Sequence, residues 1–227
     1  MKNKEVFAEG YSFKKLFLVF VIASILGAFY EEILNLVRVY LATGVINYEV
    51  RRGVIYGPFS PVYGAGAVVM VLLLAKPNYS YLKTYLYGGL LGGFFEYLIS
   101  FLQEVFTHTT SWDYSQKFLN INGRTTIPFM LVWGLFSLLF VKIIYPYFSK
   151  WVEMISPKIG TICFYIIFIF LSLDMLISWS ALIRSSLRRN DIKAVGPVGR
   201  FYDRVYPDHV LAKSFPNMKF KRGMGND

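Results

Sequence analysis

Long apolar runs, separated by short polar segments, make up most of the chain. A helix needs roughly 20 apolar residues, each adding about 1.5 Å, to cross about 30 Å of hydrocarbon. Five stretches approach that length, and the pattern therefore predicts an all-α, polytopic helical membrane bundle of about five transmembrane helices. The predicted spans are residues 16–37, 59–75, 83–106, 127–146 and 160–182.

The second stretch departs most from the pattern, because it is short and contains Pro61, Gly64 and Gly66. It is either a full span or a tilted or re-entrant element. A re-entrant element is tolerated in a membrane only where it packs inside protein or lines a wet cavity.

Polar residues mark the two ends of the chain. We predict an amino-terminal polar segment (1–15), a transmembrane helical domain (16–182) and a basic carboxy-terminal tail (183–227). The tail holds ten Lys or Arg residues and four Asp residues. When the near part of the tail is included, nine basic residues lie on one side of the bundle and ten on the other, so the membrane orientation stays open.

The composition strengthens the membrane prediction. Of the 227 residues, 55% are hydrophobic and only 17% are charged, whereas a soluble domain carries about a quarter charged residues. The net charge of +10 on so apolar a chain favours membrane lipids over nucleic acid as the partner. The single cysteine, Cys163, excludes an internal disulfide and a cysteine metal cluster. We expect a multi-pass protein of the cell membrane.

A polar stripe crosses the first stretch at helical steps of three and four residues. Its members are Ser24, Gly27, Glu31, Asn35 and Arg38. Charges within a membrane are costly and usually face a bundle interior or a cavity. Glu31 and Arg38 either bracket a polar groove or form an ion pair at the headgroup level, and Glu32 lies beside them.

The third stretch combines small residues with a carboxylate. Gly88, Gly89, Gly92 and Gly93 form two overlapping GxxxG spacings, which allow another helix to approach closely, within the chain or in an oligomer. Glu96 follows one turn later. It is either a hydrogen-bonded packing residue or a buried group on a substrate or proton pathway. Asp174 in the fifth stretch leaves the same two interpretations open.

Two loops carry unusual chemistry. The first reads RRGVIYGPFSPVYGAG over residues 51–66, and it is either a tight re-entry turn or a backbone site for an anionic group near Arg52. The second, residues 107–124, contains Trp112, which suits a membrane interface, and Asp113, which can accept from Arg124 or from loop amides. Neither loop matches a metal or nucleophile signature, so no metal and no cofactor is predicted and the catalytic residues are unknown.

The predicted topology places these two loops together, because the first and third loops of a five-span bundle lie on the same side of the membrane. The charged residues that share this side are Glu31, Glu32, Arg38, Arg51, Arg52, Glu104, Asp113 and Arg124. We therefore expect one polar, charge-balanced site at one face of the molecule.

Several blocks between residues 20 and 134 carry a family resemblance. They are FVIASILGAFYEEIL, RRGVIYGPFSPVYGAG, the glycine–Glu96 helix, SWDYSQKFLNINGR and Trp133–Gly134. In these blocks the chain resembles the CmpB-like family of bacterial ABC-transporter permeases, a type IV group. The resemblance implies motif positions at Glu31 or Glu32, Arg52, Gly53, Tyr56, Gly57, Pro58, Pro61, Tyr63, Gly64, Glu96, Trp112, Asp113, Tyr114, Asn120, Gly123 and Trp133.

These observations predict a transporter permease component with a one-sided polar site for a substrate or lipid headgroup. The candidate substrate-binding residues are Glu31, Glu32, Arg38, Arg52, Tyr56, Tyr63, Glu96, Trp112, Asp113, Tyr114, Asn120 and Arg124. Because no ATPase motif is present in the sequence, ATP-driven transport requires a separate nucleotide-binding subunit. Two alternatives stay open: an accessory or regulatory membrane protein, and an intramembrane enzyme that uses Glu32 and Glu96 as acid and base on a lipid-linked substrate.

Overall fold

The computed structural model describes residues 6–220, and the prediction of an all-α helical bundle is confirmed. The helices are α1 (Phe13–Thr43), α2 (Pro61–Leu74), α3 (Tyr81–Thr107), α4 (Ile127–Leu139), α5 (Tyr145–Glu153), α6 (Pro157–Arg189), α7 (Gly196–Val205) and α8 (Asp208–Ser214). Two-residue strands form two antiparallel pairs, in which β1 (Thr109–Thr110) pairs with β4 (Lys219–Phe220) and β2 (Asn120–Ile121) pairs with β3 (Thr125–Thr126).

Within these residues, four helical segments are long and apolar enough to cross a membrane. They are Phe13–Thr43, Tyr81–Thr107, Ile127–Glu153 and Pro157–Arg189. Many of their large apolar side chains face outward, such as Leu26, Leu90, Leu135 and Ile166. Because water does not tolerate an apolar surface of this extent, lipid is the solvent that such a surface requires.

The fourth predicted span does not end at Pro146. A π-helical turn, Phe140–Ile144, joins α4 to α5, so the helix continues to Glu153. Proline removes one helical amide and crowds the preceding turn, and a wider turn relieves that crowding. Lys142 lies in this turn, and its Nζ donates to the Tyr79 carbonyl oxygen over 2.6 Å.

The second predicted span is a half-length helix. The 14 residues of α2 cover about 21 Å at roughly 1.5 Å per residue. At its carboxyl end, the Ala75 carbonyl oxygen accepts from the Tyr11 hydroxyl, beside the start of α1. At its amino end, the Ser60 amide donates over 3.0 Å to the carbonyl oxygen of Ser24, inside α1. The chain therefore crosses the bundle between α1 and α3 as non-helical backbone followed by the short α2, and it does not follow the re-entrant course that the sequence left open.

Glycines set the spacing between neighbouring helices. A Cβ atom at Gly27 of α1 would lie 2.2 Å from Tyr63 Cγ of α2, closer than carbon atoms can pack. A Cβ atom at Gly89 of α3 would lie 2.7 Å from the Met130 carbonyl oxygen of α4. The predicted close approach at the glycine face is confirmed, and the helix that occupies it belongs to the same chain.

The carboxy-terminal helices α7 and α8 fold back against the end of α6. Ile55, Ala181, Leu182, Tyr206, Leu211 and Phe215 form a buried apolar cluster there. Arg184 is 8% exposed and binds both oxygens of Asp203, over 2.8 and 2.9 Å. Arg188 binds Asp203 over 2.7 Å and Asp208 over 2.6 Å. These two arginines therefore pair within the chain.

Candidate functional site

Glu96 of α3 is the centre of a hydrogen-bonded group in the half of the bundle nearer α7 and α8. The Tyr114 hydroxyl donates to Glu96 Oε1 over 3.1 Å, and Thr125 Oγ1 donates to Oε2 over 2.7 Å. The Trp133 side chain of α4 is a third hydrogen-bonding partner. Glu96 thus connects α3, α4 and the loop between them.

The loop of residues 108–126 is shaped by its own side chains. Asn120 Nδ2 donates to the carbonyl oxygens of Ser115 and Lys117, over 3.1 and 3.0 Å. Asp113 Oδ1 accepts from the Ser115 amide over 2.9 Å, and Trp112 Nε1 donates to the Arg124 carbonyl oxygen over 2.9 Å. These bonds hold the loop so that Tyr114 reaches Glu96.

Arg124 fixes the same loop to α3. Its Nη2 lies 2.6 Å from Glu104 Oε2, and its guanidinium carbon lies 5.5 Å from the centre of the Phe101 ring. Nη1 donates to Ser100 Oγ over 3.3 Å. The Arg124 charge is therefore paired on α3 and braces the loop.

Glu31 of α1 belongs to the same region as Glu96. Its side-chain hydrogen-bonding partner is Tyr63, in the first turn of α2. The Tyr63 ring lies 6.4 Å from the Trp133 ring and 6.5 Å from the Tyr30 ring, between centroids. The two carboxylates are thus linked through aromatic side chains.

Both carboxylates, Glu96 and Glu31, act electrostatically on Tyr114. Burial raises the pKa of the Tyr114 phenol, and the negative charges of Glu96 and Glu31 raise that pKa further. The hydroxyl therefore keeps its proton and donates to Glu96. We call Glu31, Tyr63, Glu96 and Tyr114 the carboxylate site.

Glu32 faces a different part of the chain. It is 4% exposed; its Oε2 accepts from the Tyr48 hydroxyl over 2.6 Å, and its Oε1 accepts from the Arg51 amide over 3.2 Å. The bond to Glu32 raises the pKa of the Tyr48 phenol. Glu32 therefore anchors residues 44–51, and the acid–base pair considered from the sequence, Glu32 and Glu96, is held by two separate loops.

Three other predicted residues lie outside the carboxylate site. Arg38 is exposed near the end of α1. Arg52 and Tyr56 belong to the extended segment before α2, where the Tyr56 amide donates to Asp174 Oδ1 over 3.2 Å. The Tyr56 and Tyr206 hydroxyls lie 3.0 Å apart, and burial followed by the contact with Tyr56 raises the pKa of Tyr206 to about 12.

Thr125 and Tyr30 were absent from the predicted site. The position of Thr125 could have been predicted from the local sequence. Asn122 and Gly123, both with positive φ, are typical of a tight hairpin, which returns the chain to α3. The position of Tyr30 could not, because its contact with Tyr63 depends on how closely α1 and α2 pack.

A family model described as "Putative ABC-transporter type IV" matches residues 18–179. The chain belongs to this family. The match extends from α1 into α6, includes the whole carboxylate site, and ends before α7 and α8. Together with the four long apolar segments, membership of this ABC-transporter family identifies a membrane protein. Comparisons with curated proteins and with solved structures returned no match.

Proposed function

We propose that the protein is the multi-pass permease component of an ABC transporter in the cell membrane, and that its carboxylate site binds a substrate or a lipid headgroup. A separate nucleotide-binding subunit supplies ATP hydrolysis. Family membership supports the first statement.

The observation that carries the binding proposal is the convergence at the carboxylate site. Glu31 of α1, Tyr63 of α2, Glu96 of α3 and Tyr114 of the following loop each come from a different element. Carboxylates within an apolar bundle cost at least about 2.5 kcal/mol each on insertion scales. The glycine face already joins α3 to α4, so Glu96 is not needed for the close approach of these two helices.

The chemistry of these residues favours a ligand with a positive charge or several hydrogen-bond donors. Carboxylate oxygens accept hydrogen bonds, and their hydrogen-bonding partners here, phenols, a threonine hydroxyl and the Trp133 indole, are neutral. Arg51 is a nearby cation that acts electrostatically on Glu31 without a hydrogen bond to it. The rings of Tyr63 and Trp133 add faces that attract cations. Lipid amines and small organic cations share this chemistry.

The half-length α2 supports the same proposal. Transporters commonly bind their substrates where a discontinuous helix ends inside the bundle. Here α2 begins next to the buried Ser60, and Tyr63 lies in its first turn. A small shift of α2 would therefore alter the donor that faces Glu31.

A complementation experiment tests the proposal. A deletion strain is complemented with the wild-type protein, with Glu96→Gln, or with the matched control Glu9→Gln, which changes an exposed residue at the opposite end of the bundle. Lipid and metabolite profiles are then compared. We expect one class of amine-containing compound to change in the deletion strain, to recover with wild type and Glu9→Gln, and to stay altered with Glu96→Gln.

Two results would contradict the proposal. The first is full recovery by a Glu96→Gln protein that is present at the wild-type level. The second is the absence of any ATPase subunit co-purifying with the tagged wild-type protein, together with unchanged profiles in the deletion strain.

A further inference from the structure

Asp174 in the middle of α6 is a buried acid whose two oxygens have different surroundings. The side chain is 2% exposed. Oδ1 accepts from the Tyr56 amide over 3.2 Å and from Ser178 Oγ over 3.0 Å. Oδ2 is fully buried and has no hydrogen-bonding partner among residues 6–220.

This asymmetry fits a protonated acid better than a carboxylate. A buried anionic oxygen without a partner is strongly disfavoured, and protonation removes its charge. In the neutral acid, Oδ1 is the carbonyl oxygen, which accepts the two observed bonds, and Oδ2 carries the proton.

A cation lies close enough to stabilise the ionised form as well. Arg52, in the extended segment before α2, acts electrostatically on Asp174, but the two side chains form no ion pair within 4 Å. Arg52 Nε is also buried without a hydrogen-bonding partner in the described part of the chain. Asp174 and Arg52, on neighbouring elements, thus each have one buried polar atom without a hydrogen-bonding partner in the described part of the chain.

The other groups that face Asp174 are neutral donors or weak acids. The extended segment contributes Tyr56 and the Ile55 amide, α6 itself contributes Ser178, and the turn after α7 contributes Tyr206. Burial, followed by the contact with Tyr56, raises the pKa of Tyr206 to about 12. Arg52 is therefore the counter-charge that this arrangement offers to an ionised Asp174.

We propose that Asp174 is a proton-binding site and that release of its proton lets Arg52 pair with the carboxylate. The O–H bond at Oδ2 breaks, the proton passes to water, and the electron pair stays on the carboxylate. The Tyr56 amide donates to Asp174 and the Ile55 amide donates to Ser178. Occupancy of Asp174 by a proton is therefore linked to the position of the segment that leads into α2. This inference does not depend on the carboxylate site or on any transported substrate.

Infrared spectroscopy of the purified full-length protein tests it. Spectra are recorded as a function of pH for wild type, Asp174→Asn and the control Asp191→Asn, which changes an exposed residue. We expect a carboxylic-acid C=O band that disappears reversibly as the pH rises. It should be present in wild type and Asp191→Asn and missing from Asp174→Asn.

Two further variants keep the acid and so do not depend on Asp174→Asn folding. Ser178→Ala removes a donor from Oδ1, so the band should move to higher frequency. Arg52→Gln removes the counter-charge, so the band should persist to higher pH. The proposal is overturned if the band persists at every pH at which the wild-type protein is folded, if no such band occurs, or if it responds to neither variant.

Discussion

Thr125 donates to Glu96 over 2.7 Å and ties strand β3 to the middle of α3, although the two residues are 29 positions apart. Thr125 is 2% exposed, so little water can replace the bond. The loop between α3 and α4 therefore takes its position from a carboxylate inside the bundle, and the carboxylate site and the local fold share one interaction.

We first predict that Thr125→Val lowers the free energy of unfolding in detergent by about 1–3 kcal/mol, because it leaves a partly buried Glu96 oxygen without its donor. The coupling can be isolated with Glu96→Leu, which removes the acceptor, and the double variant. The two single effects should sum to more than the effect of the double variant. Strict additivity would show that the bond contributes nothing to stability.

The glycine face gives a second prediction. Gly89→Ala would place a Cβ atom 2.7 Å from a backbone oxygen of α4, which cannot rotate away. We expect it to destabilise the bundle by about 1–3 kcal/mol through overpacking. Gly66→Ala is the matched control, because its Cβ atom would lie 3.6 Å from the Phe95 ring, an ordinary contact distance. It should be neutral or slightly stabilising, since alanine favours a helix, and thermal unfolding of both variants checks the contrast.

The sequence was sufficient for the helical class, the long spans and the glycine face, because each depends on residues close together in the chain. Hydrophobic length predicts a span, and GxxxG spacing predicts a close approach. The same spacing could not identify α4 as the helix that packs there, since partner choice depends on the topology of the whole bundle.

The contacts of the candidate residues were harder to predict, because residues adjacent in sequence contact different elements. Glu31 faces Tyr63, whereas Glu32 binds Tyr48 and the Arg51 amide. Successive residues on a helix of 3.6 residues per turn point about 100° apart, so Glu31 and Glu32 face different parts of the molecule. The Asp174–Tyr56 bond spans 118 positions, and no local pattern predicts it.

A third prediction concerns a buried charge that sequence reasoning passed over. Lys15 of α1 is 0% exposed and pairs with Glu153, while Ser149 Oγ accepts from its Nζ over 2.7 Å. Glu153→Gln would leave the ammonium group without its counter-charge and should cost about 3–5 kcal/mol. Lys15→Met with Glu153→Gln removes both charges and should recover much of that loss in thermal unfolding. A double variant no more stable than Glu153→Gln would contradict this account.

The last prediction uses pH to test how α7 is held against α6. Hydrogen bonds from Arg184 and then Arg188 lower the pKa of Asp203 to about 2, from an ordinary value of 3.8. Because the folded-state pKa is the lower one, the ion pairs contribute fully above about pH 4 and are lost as the pH falls towards 2. At roughly 1.4 kcal/mol per pKa unit the contribution is at most about 2.5 kcal/mol, and solvent screening of the partly exposed Asp203 lowers it further. Wild type should therefore unfold at a higher temperature than Asp203→Asn near pH 6, and the gap should close between pH 4 and pH 2. Asp191→Asn, a change at an exposed site, should unfold at the wild-type temperature throughout this pH range. If the difference in unfolding temperature between wild type and Asp203→Asn does not change with pH, packing and not charge holds α7 in place.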